Sequence, residues 1–237
     1  RGTRETSSAD TVMADTSSDS SPSSDRTTVR RGAKRAEYGQ EKILEILRVG
    51  SVAHVGVNTN DGLLVLPMVY GLTDDTMYLH GALANSLLKS GADTDICVTM
   101  TIVDGLVIAK TPFNHSMNYR SVVVRGKARV VEDDDEIMLA LQLMTDHIVP
   151  TWNTTRNPSP GEIRATRIIA LPLDEKSAKV RTGEAINDEV DIDLAVWSGY
   201  IPISSVFGAP ISNSDSGAEI PVEVLQVVGR DIHEKRS

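Results

Sequence analysis

Three groups of polar residues in this sequence have the side chains needed to bind an anion. The first begins at His80 and Gly81, which close a β-like run just before a helix predicted over residues 82–91. A helix N-terminus beside a glycine offers unpaired backbone N–H groups to an anion. We expect a phosphate to bind here, with an ordinary exposed helix face as the alternative. Three side chains on that helix would add donors: Asn85, Ser86 and Lys89.

The second group opens the segment "HSMNYRSVVVRG" at residues 115–126 and consists of Asn118, Tyr119, Arg120 and Ser121. In a strand, Asn118 and Arg120 face one side while Tyr119 and Ser121 face the other. An arginine with nearby hydroxyl groups suits a phosphorylated ligand, because its guanidinium can donate two parallel hydrogen bonds. The alternative is an ordinary ion pair between Arg120 and an acidic neighbour at a turn.

The third group is Lys179 and Arg181 in "SAKVRTG", residues 177–183. These two side chains share one face of an extended chain because they are two residues apart. The alternative interpretation is that these two residues are part of a basic strand edge that contacts only solvent. Each group is a weak signal alone, and three of them in one small domain together favour a phosphorylated ligand.

Other kinds of site have little support in the sequence. No pair of histidines has the close spacing of a zinc site, and there is no GxSxG or CxxC motif for hydrolytic or dithiol chemistry. Neither a GxGxxG fingerprint nor a Walker loop is present, so a dinucleotide-binding Rossmann fold and P-loop chemistry are not expected. The five histidines are His54, His80, His115, His147 and His233.

Short β-like runs must position these groups. Glycine tolerates the positive φ of tight turns, so "NTNDG" at 58–62 and "DG" at 104–105 predict hairpins. Closely spaced strands joined mostly by hairpins predict an antiparallel barrel. The predicted strands cover residues 51–58, 63–70, 76–81, 95–103, 106–110 and 120–131, with a further strand at 167–173.

Short helices punctuate these strands. "QEKILEILRVG" (40–50) carries an amphipathic pattern that stops at a glycine. "EDDDEIMLALQLMTDHIV" (132–149) has acidic residues in its first turn, where they complement the helix dipole. "SPGE" (159–162) fits a capping box with proline at the first helical position.

Composition narrows the class of protein. The net charge of −9 argues against a nucleic-acid binder, and the basic stretch at 26–35 is expected to be a solvated arm. No run approaches ~18 consecutive apolar residues, so no membrane span is predicted. The single cysteine, Cys97, lies in an apolar run and is compatible with a reducing compartment, so we expect a cytoplasmic protein.

The two ends of the chain differ from its middle. Residues 1–27 form a tail whose Ser-, Asp- and Thr-rich composition predicts disorder, since it cannot bury enough apolar surface. Residues 204–237 form a C-terminal extension with one apolar stretch, "IPVEVLQVV", that would add a strand or pack on a partner. The single predicted domain covers residues 28–203.

The order of segments in that domain resembles the FMN-binding split-barrel superfamily. Within it, the chain is similar to pyridoxamine 5'-phosphate oxidase-like flavin-nucleotide-binding proteins related to nitroimidazole-resistance reductases. The resemblance implies a mainly β fold, an antiparallel, Greek-key-like split β-barrel with peripheral helices. It also implies a homodimer that binds FMN in a groove between subunits. The segments that carry it are "VRRGAKRAEYGQEKILEIL", "VLPMVYGLTDDTMYLHGA", "CVTMTIVDGLVIAKTPFNHSMNYRSVVVRGKARVV", "ALPLDEKSAKVRTG" and "VWSGYIPI".

The same resemblance implies roles for individual residues. The "LHGALANSLLK" block corresponds to the element that grips the phosphate. Arg120 and Ser121 match a strand that contacts the ribityl phosphate, and Lys179 and Arg181 match a segment that reaches the flavin. The strand whose backbone runs along the isoalloxazine is implied to contain Leu66, Pro67, Met68 and Val69.

One departure affects the cofactor. Relatives commonly carry a Ser-Arg pair where this chain has Asn85-Ser86, so a bidentate phosphate clamp is missing. A deazaflavin therefore stays open as an alternative to FMN. The chain also lacks the substrate motif of true pyridoxamine-phosphate oxidases, and vitamin B6 synthesis is not expected.

The resemblance implies an FMN-dependent oxidoreductase that transfers a hydride or electrons to or from a small organic substrate. His80 is the candidate proton donor, because the pKa of a histidine can lie near neutrality. A structural hydrogen bond at the strand end is the alternative for this residue. Two other functions stay open: a flavin-binding module without turnover, and a haem-binding split barrel with His115 or His147 as the axial ligand.

Overall fold

Two antiparallel β-sheets make up most of the fold in the computed structural model, which describes residues 21–81 and 95–234. The smaller sheet has the spatial order β4 (Tyr70–Leu72), β5 (Thr76–His80), β9 (Ile168–Pro172) and β8 (Arg129–Val130). The larger sheet has the order β1 (Ala36–Glu37), β10 (Glu175–Arg181), β7 (Ser116–Lys127), β6 (Asp95–Ile108), β2 (Ala53–Thr59) and β3 (Gly62–Met68), and β11 (Gly199–Pro202) pairs with β6. This arrangement confirms the predicted mainly β, antiparallel fold class.

The described helices are short and peripheral: α1 (Gln40–Val49), α2 (Asp134–Asp146), α3 (Pro160–Ala165) and α4 (Val222–Leu225). The first three confirm the helices predicted from sequence. The Asp133 carboxylate caps α2 by accepting the Glu136 backbone N–H, and α3 has the full capping box of Ser159 and Glu162. None of the helices in the described segments is long and apolar enough to cross a membrane.

The core lies between the two sheets and α1. Side chains alternate between buried and more exposed along β2 and along the first half of β6, as expected for strands with one face on a core. The largest fully buried side chains are those of Tyr70, Ile43, Ile46, Leu47, Met77, Leu79, Ile96, Met100, Ile102, Ile168 and Ile169.

The hairpin predicted at "DG" 104–105 is wrong. The chain does not reverse there, and residues 95–108 form one strand that pairs with β7 along most of its length. The register shifts between Val103 and Gly105, which makes Asp104 the extra residue of a β-bulge. A Cβ at position 105 would lie 2.8 Å from the carbonyl oxygen of Ile201. Glycine is therefore needed here because β11 approaches closely, and not because the chain turns.

Both ends of the described chain contact the sheets. Residues 1–20 of the predicted disordered tail lie outside the described residues. Further along, Ser24 Oγ donates to Glu175 Oε1 at 2.6 Å, and Thr27 is buried. In the C-terminal extension, the apolar stretch contains the helix α4 instead of a strand. The predicted domain boundaries at 28 and 203 stay predictions.

Gly71 allows β4 to pack directly on α2. A Cβ at this position would lie 2.8 Å from Leu143 Cβ and 2.8 Å from the Met144 backbone nitrogen. We expect Gly71→Ala to lower the free energy of unfolding by about 1–3 kcal/mol, because helix backbone has to move to admit the methyl group. Urea denaturation measures this change.

Gly56→Ala is the matched control, since it is another strand glycine whose added Cβ would be 3.5 Å from the nearest atom, the Cys97 carbonyl oxygen. This variant is expected to be neutral or slightly stabilising. Equal losses in both variants would show that backbone conformation, and not contact with α2, makes Gly71 necessary.

Candidate functional site

A depression of about 330 Å³ brings together residues that are distant in sequence. Its walls are the end of β3, from Leu66 to Val69, and His80 at the end of β5. Apolar side chains dominate the wall, and among the described residues that line it the His80 imidazole is the single ionisable side chain. These are the four residues implied to contact the isoalloxazine and the candidate proton donor.

The position of β3 in the sheet exposes backbone groups at this depression. Within the described part of the chain, β3 pairs only with β2 and is therefore an edge strand. Alternate residues of an edge strand point unpaired N–H and C=O groups outwards. Val69 lies between β3 and β4, where the chain passes from one sheet to the other. The depression therefore combines an apolar wall with the outward backbone groups of an edge strand, to which Pro67 contributes a carbonyl but no N–H.

Tyr70 fixes the end of this segment. Its side chain is fully buried, and its hydroxyl group donates to the Leu47 carbonyl at 2.6 Å, with the Gly50 carbonyl 3.0 Å away. Burial raises the pKa of this phenol well above its usual range, so it stays protonated as a donor. The hydrogen bonds tie the first residue of β4 to the C-terminal end of α1.

The predicted phosphate element is described only at its start. His80 is exposed, and Gly81 has φ 118°, a conformation that favours glycine. The Gly81 N–H donates to the Arg167 carbonyl at 3.4 Å. Three of the predicted phosphate contacts lie outside the described residues: Asn85, Ser86 and Lys89.

Arg120 makes an ion pair. Its Nε and Nη2 donate to the two carboxylate oxygens of Asp104 at 3.0 and 2.6 Å, and Nη1 donates to the His233 carbonyl at 3.3 Å. The β-bulge places Asp104 beside this guanidinium. The acidic partner considered from sequence is therefore present, and the same arginine also contacts the C-terminal extension.

Asn118 and Arg181 form a buried polar cluster, with 6% of each residue exposed. The Arg181 guanidinium donates to the Asn118 side-chain oxygen and to the carbonyl groups of Gly183 and Glu184. Asn118 in turn donates to the Gly183 carbonyl at 3.1 Å. Burial lowers the pKa of Arg181, and the nearby charge of Arg35 lowers it further.

The second and third predicted groups lie on adjacent strands. Tyr119 is opposite Arg181 and Ser121 is opposite Lys179 in the pairing of β7 with β10. The Ser121 hydroxyl donates to the Lys179 carbonyl at 3.4 Å. Tyr119 and Ser121 thus share one face of the paired strands with Lys179 and Arg181, and these four residues form a polar patch that sequence spacing alone did not show. Arg120 lies on the opposite face, where it pairs with Asp104.

This patch and the depression at β3 are well apart within one protomer. Strands β2 and β6 lie between β3 and β7, and three strand spacings amount to about 14 Å. A ligand that touches both sets of residues must therefore cross the sheet, or take one set from each of two protomers.

The two histidines predicted as haem ligands differ in environment. His115 is exposed, and its Nδ1 accepts the Ala109 N–H at 3.3 Å. His147 is buried, its Nε2 lies 2.6 Å from the Gly50 carbonyl oxygen, and its ring packs 4.3 Å from that of Tyr70. No cluster of three His, Cys, Asp or Glu side chains in the described segments is arranged to hold a metal ion.

A cavity of about 550 Å³ between α1 and α2 was not anticipated from sequence. His147 lines it together with Leu72, Leu139 and Leu143, and Glu41, Glu45, Arg48 and Asp146 are among its polar residues. Leu139 could have indicated this cavity, because it is an apolar residue on α2 that lies outside the stripe packed on the sheets and is exposed.

Comparison with known proteins adds to this geometry. No curated protein matches the chain. Among solved structures, the flavocytochrome Anf3 from Azotobacter vinelandii is 33% identical with a TM-score of 0.81, over 88% of this chain and 99% of that one. The FAD and heme binding protein from Mycobacterium smegmatis is 25% identical with a TM-score of 0.78, over 84% and 100%.

These two structures cover more of the chain than the matching family model does. That family, described as pyridoxamine 5'-phosphate oxidase, matches residues 39–180, which contain the β3 depression and the polar patch except for Arg181. The chain belongs to the pyridoxamine 5'-phosphate oxidase family.

Proposed function

We propose that this protein binds a flavin and uses it for electron or hydride transfer. The observation that carries the proposal is the depression at the edge strand β3, where backbone groups and apolar side chains meet His80. A flavin ring has two apolar faces and a polar edge, and this wall offers a surface for each. The two similar structures, a flavocytochrome and an FAD and heme binding protein, support the same function.

The residues of the depression have separate tasks in this proposal. The backbone of Leu66–Val69 would hold the flavin edge by hydrogen bonds, and the apolar side chains would exclude water from its face. His80 is positioned to donate or accept a proton at the wall of the depression. The flavin, when bound, supplies the redox chemistry, and the protein contributes orientation and electrostatics.

We propose that the functional unit is a homodimer with the cofactor between subunits. The support is the separation of about 14 Å between the β3 depression and the polar patch within one protomer. A second protomer brings a second patch without requiring the ligand to cross a sheet. The side chains of Leu63 and Val65 on β3 are apolar and exposed, so they are suited to burial in such a contact.

The identity of the flavin is a separate question. The resemblance seen in the sequence implies FMN, whereas one similar structure is an FAD and heme binding protein. FAD therefore joins FMN as a candidate, with a deazaflavin as the third. Chromatography of the small molecules released by heating the purified protein distinguishes the three.

The test of flavin binding compares a variant at the depression with a variant outside it. We expect the purified protein to show flavin absorption bands, or to quench flavin fluorescence when FMN or FAD is added. Val69→Glu should weaken flavin binding at least tenfold, because it places a carboxylate at the apolar wall, where burial of an unpaired charge is costly. Ile211→Glu is the control, since Ile211 is 95% exposed and is not among the residues that line the depression.

A colourless protein that binds neither FMN nor FAD would overturn the proposal. Equal loss of binding in both variants would move the site away from the depression. Reduction of bound flavin by NADH or NADPH, followed by reoxidation, separates an enzyme from a flavin-binding module without turnover.

Haem binding alongside flavin is a second candidate, favoured by the two similar structures. Of the predicted ligands, His147 is the better placed, because it lines the 550 Å³ cavity beside leucine side chains. Its hydrogen bond to a backbone carbonyl is the kind that orients a ligating imidazole. His115 is exposed and is not among the described residues that line the 550 Å³ cavity.

Haem titration tests this assignment. When haem is added to the protein, its Soret band is expected to shift because the iron gains an imidazole ligand. His147→Gln should abolish this shift, and His115→Gln should leave it unchanged. Thermal melting of both variants checks that the fold survives. Retention of the band in His147→Gln with loss in His115→Gln would reverse the assignment.

A further inference from the structure

A second depression, of about 470 Å³, lies between the N-terminal arm and the end of β10. Lys34 and Arg35 line it from a single 3-10 turn, Ala33–Arg35, and Arg181 lines it from β10. Glu184 is its one acidic residue and is exposed. The depression is about 19 Å from β3 across four strand spacings, so it is distinct from the flavin depression within one protomer.

The arm is held against β10 by backbone pairing. Ala36 in β1 is opposite Lys179, so the cations that precede it in sequence lie beside β10. Gly32 turns the chain with φ 69°, and a Cβ there would lie 3.4 Å from Lys179 Nζ. The pairing therefore holds basic residues close together despite their mutual repulsion.

Within residues 21–81 and 95–234, the cations of this depression have no carboxylate within ion-pair distance. Arg181 donates only to an amide oxygen and to two backbone carbonyls, all uncharged acceptors. Among the described residues, no ion pair involves Lys34, Arg35 or Lys179 either. Five other arginines of this acidic chain do pair with carboxylates: Arg26, Arg48, Arg120, Arg129 and Arg156.

A buried guanidinium without a counter-ion is unusual, because charged side chains are seldom fully buried unless they are paired. The observed hydrogen bonds of Arg181 come from Nη1 and Nη2 and go to uncharged acceptors, so they leave its charge uncompensated. Lys34 and Arg35 add to the same positive potential at the mouth of the depression.

We propose that this depression binds the phosphate or diphosphate group of a small molecule. A phosphate group accepts hydrogen bonds from arginine and lysine together, and its charge matches several cations better than a single carboxylate does. The proposal rests on burial and ion pairing, and it holds whether or not the protein binds a flavin. Two sources of the group are compatible with it: the diphosphate of a flavin dinucleotide, and a free phosphorylated ligand.

The test uses inorganic pyrophosphate as the probe and the full chain as purified. Isothermal titration should detect pyrophosphate binding to the protein. Lys34→Gln/Arg35→Gln should weaken this binding by about tenfold or more, since each removes a charge-assisted hydrogen bond. Arg30→Gln/Arg31→Gln is the matched control, with the same loss of two charges from the same arm but outside the depression.

The comparison between the variants decides the proposal. Unchanged affinity in the control together with the loss in Lys34→Gln/Arg35→Gln supports a specific site. Equal weakening in both variants, or no binding to the original protein, would overturn it, because the general charge of the arm would then account for any affinity. Circular dichroism of both variants confirms that β1 and β10 remain folded.

A further arm of the experiment identifies the source of the group. Saturating FAD should displace pyrophosphate if the flavin's own diphosphate occupies the site, whereas FMN should not. Additive binding of pyrophosphate to flavin-saturated protein indicates a free phosphorylated ligand. If the protein binds pyrophosphate but no flavin, the flavin proposal is wrong and the proposal for this depression still holds. The two proposals can therefore be overturned independently.

Discussion

Tyr70→Ala is expected to lower the free energy of unfolding by about 3–5 kcal/mol, the usual cost of removing a large buried aromatic side chain. Tyr70 is completely buried and packs against the ring of His147. It also links β4 to the C-terminal end of α1 through its hydroxyl group. Urea denaturation monitored by circular dichroism measures the loss.

Tyr70→Phe separates the hydroxyl group from the ring. This change leaves the Leu47 carbonyl without its donor, whereas the Gly50 carbonyl keeps the His147 Nε2 as a neighbour at 2.6 Å. A loss of about 1–3 kcal/mol is expected for one unsatisfied buried group. Because Tyr70 follows Val69 directly, both variants should also weaken flavin binding if a fixed chain end shapes the depression.

Tyr200→Ala is the control for these variants, since Tyr200 is 48% exposed and its replacement should change stability by less than about 0.5 kcal/mol. A Tyr70→Ala loss as small as that of the control would mean that the core repacks around the missing ring. It would also remove the argument that Tyr70 fixes the end of β3.

Arg120→Ala is the second change with a large expected effect. If the guanidinium donates to a flavin phosphate, its removal should weaken flavin binding by about 1.5–3 kcal/mol, the contribution of a hydrogen bond to a charged group. Fluorescence titration with the flavin that co-purifies measures the affinity. Unchanged affinity would remove Arg120 from the binding site.

Asp104→Asn distinguishes a direct contact from an indirect one. In the structure, Asp104 accepts two hydrogen bonds from Arg120, and this pair leaves fewer donors for a phosphate. Asp104→Asn removes the competing charge, so flavin affinity should stay the same or rise if Arg120 contacts the phosphate directly. Weakening in both variants would instead show that the ion pair acts by holding His233 and the C-terminal extension.

Local features of the fold were predictable from the sequence. The sequence correctly predicts the acidic first turn of α2 and the capping box of α3, because a cap involves residues only three positions apart. The alternating pattern of β2 likewise follows from the local period of a strand. The hairpin at 104–105 was misread because the same Asp-Gly pair also suits a β-bulge, and only the pairing partner decides between them.

The candidate site was predictable by residue type but not by arrangement. Arginine, lysine, asparagine and hydroxyl side chains at strand ends indicate a polar site, and the family resemblance assigns the strand 66–69 to the same site, an assignment that stays a prediction. Sequence spacing could not show that Arg120 pairs with Asp104 or that Arg181 is buried without a carboxylate. Those contacts depend on the register of β6, β7 and β10.

The sequence by itself determined the kinds of strand and helix, the acidic balance, and which residues are able to bind an anion. These follow from side-chain chemistry and from patterns over a few residues. Only the tertiary structure decided which of those residues meet. It placed His80 beside Val69, and Lys34 and Arg35 beside Arg181, because strand order and register bring together residues separated by 11 to more than 140 positions.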